Sequence, residues 1–166
     1  GWNTGPVDVA LRAEAAGGVA SVTWWAEGAT ATAPSTVAGD RADVAVTATG
    51  VTHLRFRATG ADGTVEPVRT LTVRIDDDDP SVQLQTPYAD STVADLDRIA
   101  GTAADATSAP AEVDVEILDP DDRVWDGDSW EDVGDGEHRW LNATVTAGPA
   151  GTATFEHRSA NPSGAD

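Results

Sequence analysis

Apolar and polar residues alternate most regularly between positions 50 and 76 of this chain. In residues 54–58 every second side chain is apolar and the two between them are arginines, as a strand with one buried face requires. The pattern returns in residues 71–75, and the turn-forming sequence Gly-Ala-Asp-Gly at 60–63 separates the two segments. The sequence therefore predicts a β-hairpin.

The same two-residue period occurs elsewhere in the first half and predicts which side chains form a core. The apolar residues in phase with one another are Val7, Val9, Leu11, Val22, Trp24, Leu54, Phe56, Leu71 and Val73. Trp25 follows Trp24 directly and is expected on the opposite, exposed face, because neighbouring residues of a strand point to opposite sides. These patterns predict an all-β fold.

Four segments of the first half, GWN, GGVASVTWWAEG, GVTHLRFRATGADGTVEP and LTVRID, occur in an order and spacing that point to a known family. Residues 1–77 resemble the immunoglobulin-like repeats of bacterial and archaeal surface proteins, of the type named after the OmpL47 β-barrel domain. Gly60 and Thr64 stand where these repeats usually carry Asp and Asn, so caps or metal ligands at those positions are not carried over. The resemblance implies an immunoglobulin-like β-sandwich located outside the cell or on its surface.

Four aspartates at 76–79 and the following Pro80 mark the end of this first module. In residues 78–166 the segments YADSTV, LDRIAGTAAD, VDVEI, VWDGDSW, RWLNATV and TATFEH resemble a second type of bacterial immunoglobulin-like repeat. This resemblance implies that Trp125, Trp130 and Trp140 are packing residues. It also implies two antiparallel β-sandwich modules in tandem, 1–77 and 78–166.

A closing strand like that at 71–75 is missing from the second module, because no alternating apolar run follows Phe155. We therefore expect an unpaired strand edge and an open groove in this module. Two explanations remain open. The strand belongs to a further part of the same polypeptide, or another chain supplies it, for example residues 7–13 of a second copy, in which case head-to-tail donation would build a filament.

Charge and composition narrow the set of partners. Residues 1–77 hold 9 acidic residues and 6 arginines, a net charge of −3, whereas residues 78–166 hold 20 acidic residues and 4 arginines, a net charge of −16. Such an acidic chain repels nucleic acid and anionic membranes, and no segment is long and apolar enough to span a bilayer. The absence of Cys and Lys excludes disulfides, thiolate metal sites and Lys-Asn isopeptide bonds.

Two ligand classes remain as alternatives to a purely structural role. The exposed Trp25 is the one tryptophan expected to be available for stacking on a sugar ring, since the others are predicted to be buried. Calcium prefers clustered carboxylates, and Asp119, Asp121, Asp122, Asp126 and Asp128 lie close together in sequence, although their spacing does not match an EF-hand. A solvated acidic surface explains the same cluster without a metal.

Catalysis has no support in the sequence. The three histidines are far apart, His53 is out of phase with the predicted core, and neither a Gly-x-Ser-x-Gly elbow nor a His-Glu-x-x-His helix occurs. We therefore expect no enzymatic activity and no cofactor apart from the calcium alternative. The sequence is interpreted as a structural, spacer or interaction segment of a larger extracellular protein. The alternative is a sugar-binding or calcium-binding module attached to a secreted enzyme.

Overall fold

The computed structural model describes residues 1–93, 95–134 and 136–159, and it contains no helix in these ranges. The prediction of an all-β fold is confirmed. Within the same ranges, no helix has the length and apolar character needed to cross a membrane. The chain divides into two compact units, Gly1–Asp78 and Asp79–Asp166.

The first unit contains six strands. They are β1 (Val7–Arg12), β2 (Val19–Gly28), β3 (Thr32–Ala38), β4 (Arg41–Val46), β5 (Gly50–Gly60) and β6 (Arg69–Ile75). Four of them form an antiparallel sheet in the order β3-β2-β5-β6, and β1 and β4 form a second, two-stranded sheet. The predicted hairpin is confirmed, because β5 pairs with β6 from Gly50 opposite Ile75 to Phe56 opposite Arg69.

The core of the first unit lies between these two sheets, where the inward-facing side chains of their strands meet. Its fully buried apolar residues are Leu11, Val22, Ala26, Ala42, Val44 and Leu54, with Val46, Val73 and Ile75 at one end. Val7, Val9, Trp24 and Phe56 are partly buried and pack against these clusters.

One member of the predicted core is wrong: Leu71 is 41% exposed. It lies on β6, an edge strand of the four-stranded sheet, whereas the opposing sheet has only two strands. The two-stranded sheet covers β6 at Val73 and Ile75, which are buried, but it does not extend over Leu71. Val37 on β3, the other edge strand, is 39% exposed for the same reason.

In its described residues, 79–93, 95–134 and 136–159, the second unit contains eight strands, several of them very short. They are β7 (Ser81–Thr86), β8 (Arg98–Ala104), β9 (Asp114–Val115), β10 (Val124–Trp125), β11 (Trp130–Glu131), β12 (Leu141–Asn142), β13 (Thr144–Ala147) and β14 (Thr152–Arg158). One four-stranded antiparallel sheet has the order β13-β14-β8-β7, and the remaining strands form two separate pairs, β12-β9 and β10-β11. The core consists of Ile99, Ala103 and Phe155 from the sheet and Val113, Ile117 and Trp125 from the segments opposite.

Candidate functional site

The second unit has an open apolar groove along strand β7. Val82 and Leu84 lie on the inward face of the sheet, directly opposite Ala103 and Gly101 of β8. Ala103 is 1% exposed, but Val82 is 58% exposed and Leu84 is 45% exposed. The apolar face of β7 therefore has the alternation of a buried strand, and the described residues leave it largely uncovered.

The opposite wall of the groove comes from the segment around β9. Val115 and Leu118 line it there, and Ile99 and Phe155 form its floor. The groove has a volume of about 500 Å³. Its rim carries the carboxylates of Asp114 and Glu116, so the apolar floor has an acidic edge.

The backbone of β9 is paired on one side only in the part of the chain that the structure describes. It pairs with β12, where Val115 lies opposite Leu141 and Asn142 opposite Asp114. Ala143 N–H extends this contact by donating to the carbonyl of Val113. The layer that faces the four-stranded sheet is thus made of two-residue pairs, which leaves space for an additional strand.

The last described strand, β14, is not at the margin of its sheet. It pairs with β8 from Thr152 opposite Ala104 to Arg158 opposite Arg98, and with β13 on its other side. The predicted lack of an alternating run after Phe155 concerns residues that partly lie outside the described ranges. The uncovered surface of this unit lies at β7 and β9.

Strand β1, the segment expected to act as a donor between copies, is already paired. Each residue from Val7 to Arg12 lies opposite a residue of β4, and Leu11 is buried in the core of the first unit. Donation of residues 7–13 would require all of these pairs to open. The same alternation makes β1 useful as a model peptide for the groove.

The aspartates considered as calcium ligands organise turns of their own. Asp119 Oδ1 accepts hydrogen bonds from the backbone N–H groups of Asp121 and Arg123, and its Oδ2 lies 2.6 Å from Arg123 Nη2. Burial raises the pKa of Asp119, but the hydrogen bonds and charge of Arg123 outweigh it, so the pKa lies below its ordinary value. Asp126 similarly accepts N–H bonds from Ser129 and Asp128, which lower its pKa.

The five carboxylates do not converge on a common point. Among the described residues, no group of three or more His, Asp or Glu side chains is arranged to hold a metal ion. Asp135 lies outside the described ranges. Each of Asp119 and Asp126 instead fixes one loop of the acidic segment.

The tryptophans differ in burial: Trp125 is buried, Trp2 and Trp140 are exposed, and Trp24, Trp25 and Trp130 are half-buried. Trp125 is 6% exposed and meets Trp130 edge to face with ring centroids 5.4 Å apart, across the β10-β11 pair. The interpretation of Trp140 as a packing residue is wrong: it is 59% exposed and stacks on His138. Trp140 directly precedes the two-residue strand β12, and the described residues leave its ring largely exposed.

Trp25 lies on the outer face of the four-stranded sheet of the first unit, as expected from its alternation with Trp24. It is directly opposite Arg55 on β5. Its indole N–H donates to Glu27 Oε1 at 3.2 Å, and Arg55 Nε donates to Glu27 Oε2 at 3.0 Å. One carboxylate thus orients an aromatic ring and a guanidinium on the same exposed surface.

The three histidines have different partners. His53 Nδ1 is 3.1 Å from the Thr72 hydroxyl, His138 Nδ1 is 3.0 Å from Glu116, and His157 Nδ1 is 2.9 Å from the carbonyl of Asn142. None of these contacts joins a histidine to a hydroxyl nucleophile and a carboxylate together. They stabilise strand pairs and loops.

Two features of these sites were not predicted from the sequence. Val82 and Leu84 alternate with Gln83 and Gln85, as in a strand with one apolar face, but the open groove was expected at a missing closing strand and lies at β7 instead. The arginines of the outer face in the first unit were recognised as polar positions without a role. Their number was the available signal, since arginines are scarce in this chain and four of the ten lie between positions 55 and 74.

Comparison with known proteins does not add to these observations. No family model matches the chain, and the searches of curated proteins and of solved structures found no significant similarity.

Proposed function

We propose that this chain is a non-catalytic structural and interaction segment of a larger extracellular or cell-surface protein, built from immunoglobulin-like modules. The groove of its second unit accepts an extended β-strand. The observation that carries the proposal is the exposure of Val82 and Leu84, whose strand partners in β8 are buried.

An extended strand suits this groove chemically. Alternate apolar side chains of the bound strand would contact Val82, Leu84 and Leu118. Its backbone would pair with the unpaired edge of β7 or of β9. Each buried apolar side chain contributes roughly 1.5–3 kcal/mol. Two or three such contacts act together with the backbone hydrogen bonds of the added strand to offset the cost of association and of ordering the strand.

The location outside the cell is supported by the resemblance of both halves to surface-protein repeats. The acidic surface and the absence of cysteine agree with a spacer that stays soluble without disulfides. The lack of any assembled catalytic group among the described residues supports a role in assembly instead of chemistry.

A synthetic peptide with the sequence VDVALRA, labelled with a fluorophore, is the probe for the groove, because it has the required alternation. We expect the full chain to bind it and Leu84→Ser to weaken binding at least tenfold, the loss of about 1.4 kcal/mol. Leu71→Ser is the matched control, since Leu71 is 41% exposed against 45% for Leu84 but lies in the first unit. Equal binding by both variants, or no binding by the native chain, would contradict the proposal.

A second experiment identifies the source of the strand. Sedimentation of the native chain over a range of concentrations reports strand exchange between copies. Extending the chain by about 15 residues of its gene tests for a strand within the same polypeptide, because about 15 residues are enough for a turn and one strand. A monomer whose extension abolishes peptide binding places the donor strand in the same chain. Association that Leu84→Ser prevents places it in a second copy.

A further inference from the structure

The outer face of the four-stranded sheet in the first unit carries a charge opposite to that of the whole protein. The chain has 29 acidic residues and 10 arginines, yet strands β2, β3, β5 and β6 contain four arginines and one carboxylate, Glu27. Arg55, Arg57 and Arg74 alternate with the buried residues of β5 and β6 and share the outer face with Trp25. This sheet is a local basic surface.

Two of these arginines have no carboxylate partner. Seven of the ten arginines form ion pairs in the described part of the chain, and Arg57 and Arg74 are not among them. Both are exposed. In a chain with almost three acidic residues for each arginine, a guanidinium kept apart from carboxylates on a flat sheet is available to an external anion.

The aromatic residue beside them is held in a defined position. The pairing of β2 with β3 shifts register between Trp24 and Ala26, because two residues of β3, Ala33 and Pro34, lie opposite Trp25 alone. The bulge is therefore on β3, and Trp25 keeps its regular position in β2 opposite Arg55. The Thr32 hydroxyl accepts the N–H of Ala26 at 3.0 Å and closes the bulge. Bulges are frequent beside binding sites, and this one lies next to Trp25.

Glu27 completes the arrangement without neutralising it. It binds the indole N–H of Trp25 and the Nε of Arg55, and Trp25 lies directly opposite Arg55. Arg55 uses its Nε for the bond to Glu27, so its two terminal Nη groups can bind an external anion. Arg57 lies two residues further along β5, about 7 Å away at the rise of an extended strand.

From this juxtaposition we infer that the surface formed by Trp25, Arg55 and Arg57 binds an anionic polysaccharide of the uronic acid type. The indole face contacts the apolar face of a sugar ring, and the guanidinium groups bind the carboxylates of that ring and of its neighbour. Arg–carboxylate pairs form two parallel hydrogen bonds, which gives such a site geometric selectivity. The Thr23 hydroxyl, bonded to Thr36 at 2.9 Å and opposite Arg57, adds a polar contact for sugar hydroxyls.

The net charge of −19 does not prevent this binding. At physiological ionic strength charges further apart than about 8 Å are largely screened, so a ligand on the sheet responds to the nearby arginines. Glu27 is the one carboxylate on the four strands, and its charge is already offset by Arg55. The remaining charge on this face is positive.

The test is calorimetric titration of the full chain at 150 mM salt with oligogalacturonate, a neutral cello-oligosaccharide, a heparin fragment and single-stranded DNA. We expect oligogalacturonate to bind and the neutral oligosaccharide not to bind. Trp25→Ala and Arg57→Gln should each lower the affinity at least tenfold. Trp25→Phe retains an aromatic ring and should lower the affinity less than Trp25→Ala does. The comparison of the two variants separates loss of stacking from loss of folding.

Arg12→Gln is the matched control, because Arg12 also forms no ion pair among the described residues but lies on β1, outside the four-stranded sheet. It should bind as the native chain does, and so should Leu84→Ser in the second unit. Failure of oligogalacturonate to bind would overturn the inference. An affinity for DNA equal to that for oligogalacturonate would also overturn it, because this result indicates general charge attraction. The same holds if Arg12→Gln lowers the affinity as much as Arg57→Gln does. Heparin binding that exceeds oligogalacturonate binding would assign the site to sulfated glycans and would also overturn the uronic acid assignment.

Discussion

Leu54 and Leu71 lie directly opposite each other on β5 and β6, yet Leu54 is fully buried and Leu71 is 41% exposed. Both side chains point to the same face of the sheet. The opposing two-stranded sheet covers Leu54 on the interior strand β5 and also Val73 and Ile75 on the edge strand β6, but it does not cover Leu71. Position relative to the second layer, not alternation, decides which of the two leucines stabilises the unit.

Truncation of these two leucines should therefore have unequal effects. We expect Leu54→Ala to lower the free energy of unfolding of the first unit by about 2–5 kcal/mol, because it leaves a cavity in a packed core. Leu71→Ala should cost about 1 kcal/mol or less, since its side chain is already largely in water. Denaturant unfolding of the two variants measures the difference. Similar losses of unfolding free energy for both variants would show that the Leu71 side chain is buried in solution.

A second pair of variants tests the division of the tryptophans. Trp125→Ala should destabilise the second unit by about 3–5 kcal/mol, because it removes a buried ring that packs on Trp130. Trp140→Ala should change the stability by about 0.5 kcal/mol, as an exposed position usually does. Thermal unfolding followed by circular dichroism reports both. A large loss of stability in Trp140→Ala would show that Trp140 is a packing residue after all.

Gly101 allows β7 and β8 to pair over the ring of Phe155. A Cβ at this position would lie 2.0 Å from the carbonyl oxygen of Gln83 and 2.7 Å from the ring. We expect Gly101→Ala to cost roughly 1–3 kcal/mol or more, through displacement of β7. Gly17→Ala is the control, because nothing lies within 4 Å of its added Cβ. A stable Gly101→Ala chain with native amide chemical shifts would contradict the placement of β7.

Low pH should lower the stability of the second unit, because it protonates the carboxylate of Asp119. Its pKa in the native state lies below the ordinary value, because the hydrogen bonds and charge of Arg123 outweigh burial. The stabilisation is therefore complete above the ordinary pKa of about 3.8 and is lost as the pH falls through the lower native pKa. The lowered pKa values of Asp126 and Glu156 contribute in the same direction.

The measurement is the melting temperature as a function of pH. The native chain should melt at a constant temperature between pH 7 and pH 5 and at progressively lower temperatures below about pH 4. Asp119→Asn should be less stable at pH 7 and should lose less on acidification, because it no longer titrates. Asp121→Asn keeps the backbone N–H that binds Asp119 and should resemble the native chain. An identical acid profile for Asp119→Asn would exclude Asp119 as a source of the transition.

Calcium should leave the melting temperature unchanged relative to chelator at matched ionic strength. The described carboxylates form no group of three, and Asp119 and Asp126 are engaged in their own turns. A metal that binds the native state would raise the midpoint by mass action. A rise that persists at matched ionic strength would show that the acidic segment rearranges around the ion.

Local alternation was enough to predict the β class and the hairpin of β5 and β6, because the two-residue period is a property of each strand alone. It also predicted the outward position of Trp25, which depends only on its neighbour Trp24. It did not predict the exposure of Leu71 or Trp140. Whether an inward side chain is buried depends on the width of the layer opposite, and that layer is built from distant segments.

The two candidate surfaces depend on tertiary structure in the same way. Arg57 and Arg74 are 17 positions apart in sequence and share one face with Trp25 only because the register of β2, β5 and β6 aligns them. Val82 and Leu84 have the sequence pattern of a buried strand, and only the short β9 and β12 opposite them leave their groove open. The sequence by itself determined which residues alternate. Strand register and the extent of the second layer decided which of them are available to a partner, because both arise from contacts between segments far apart in the chain.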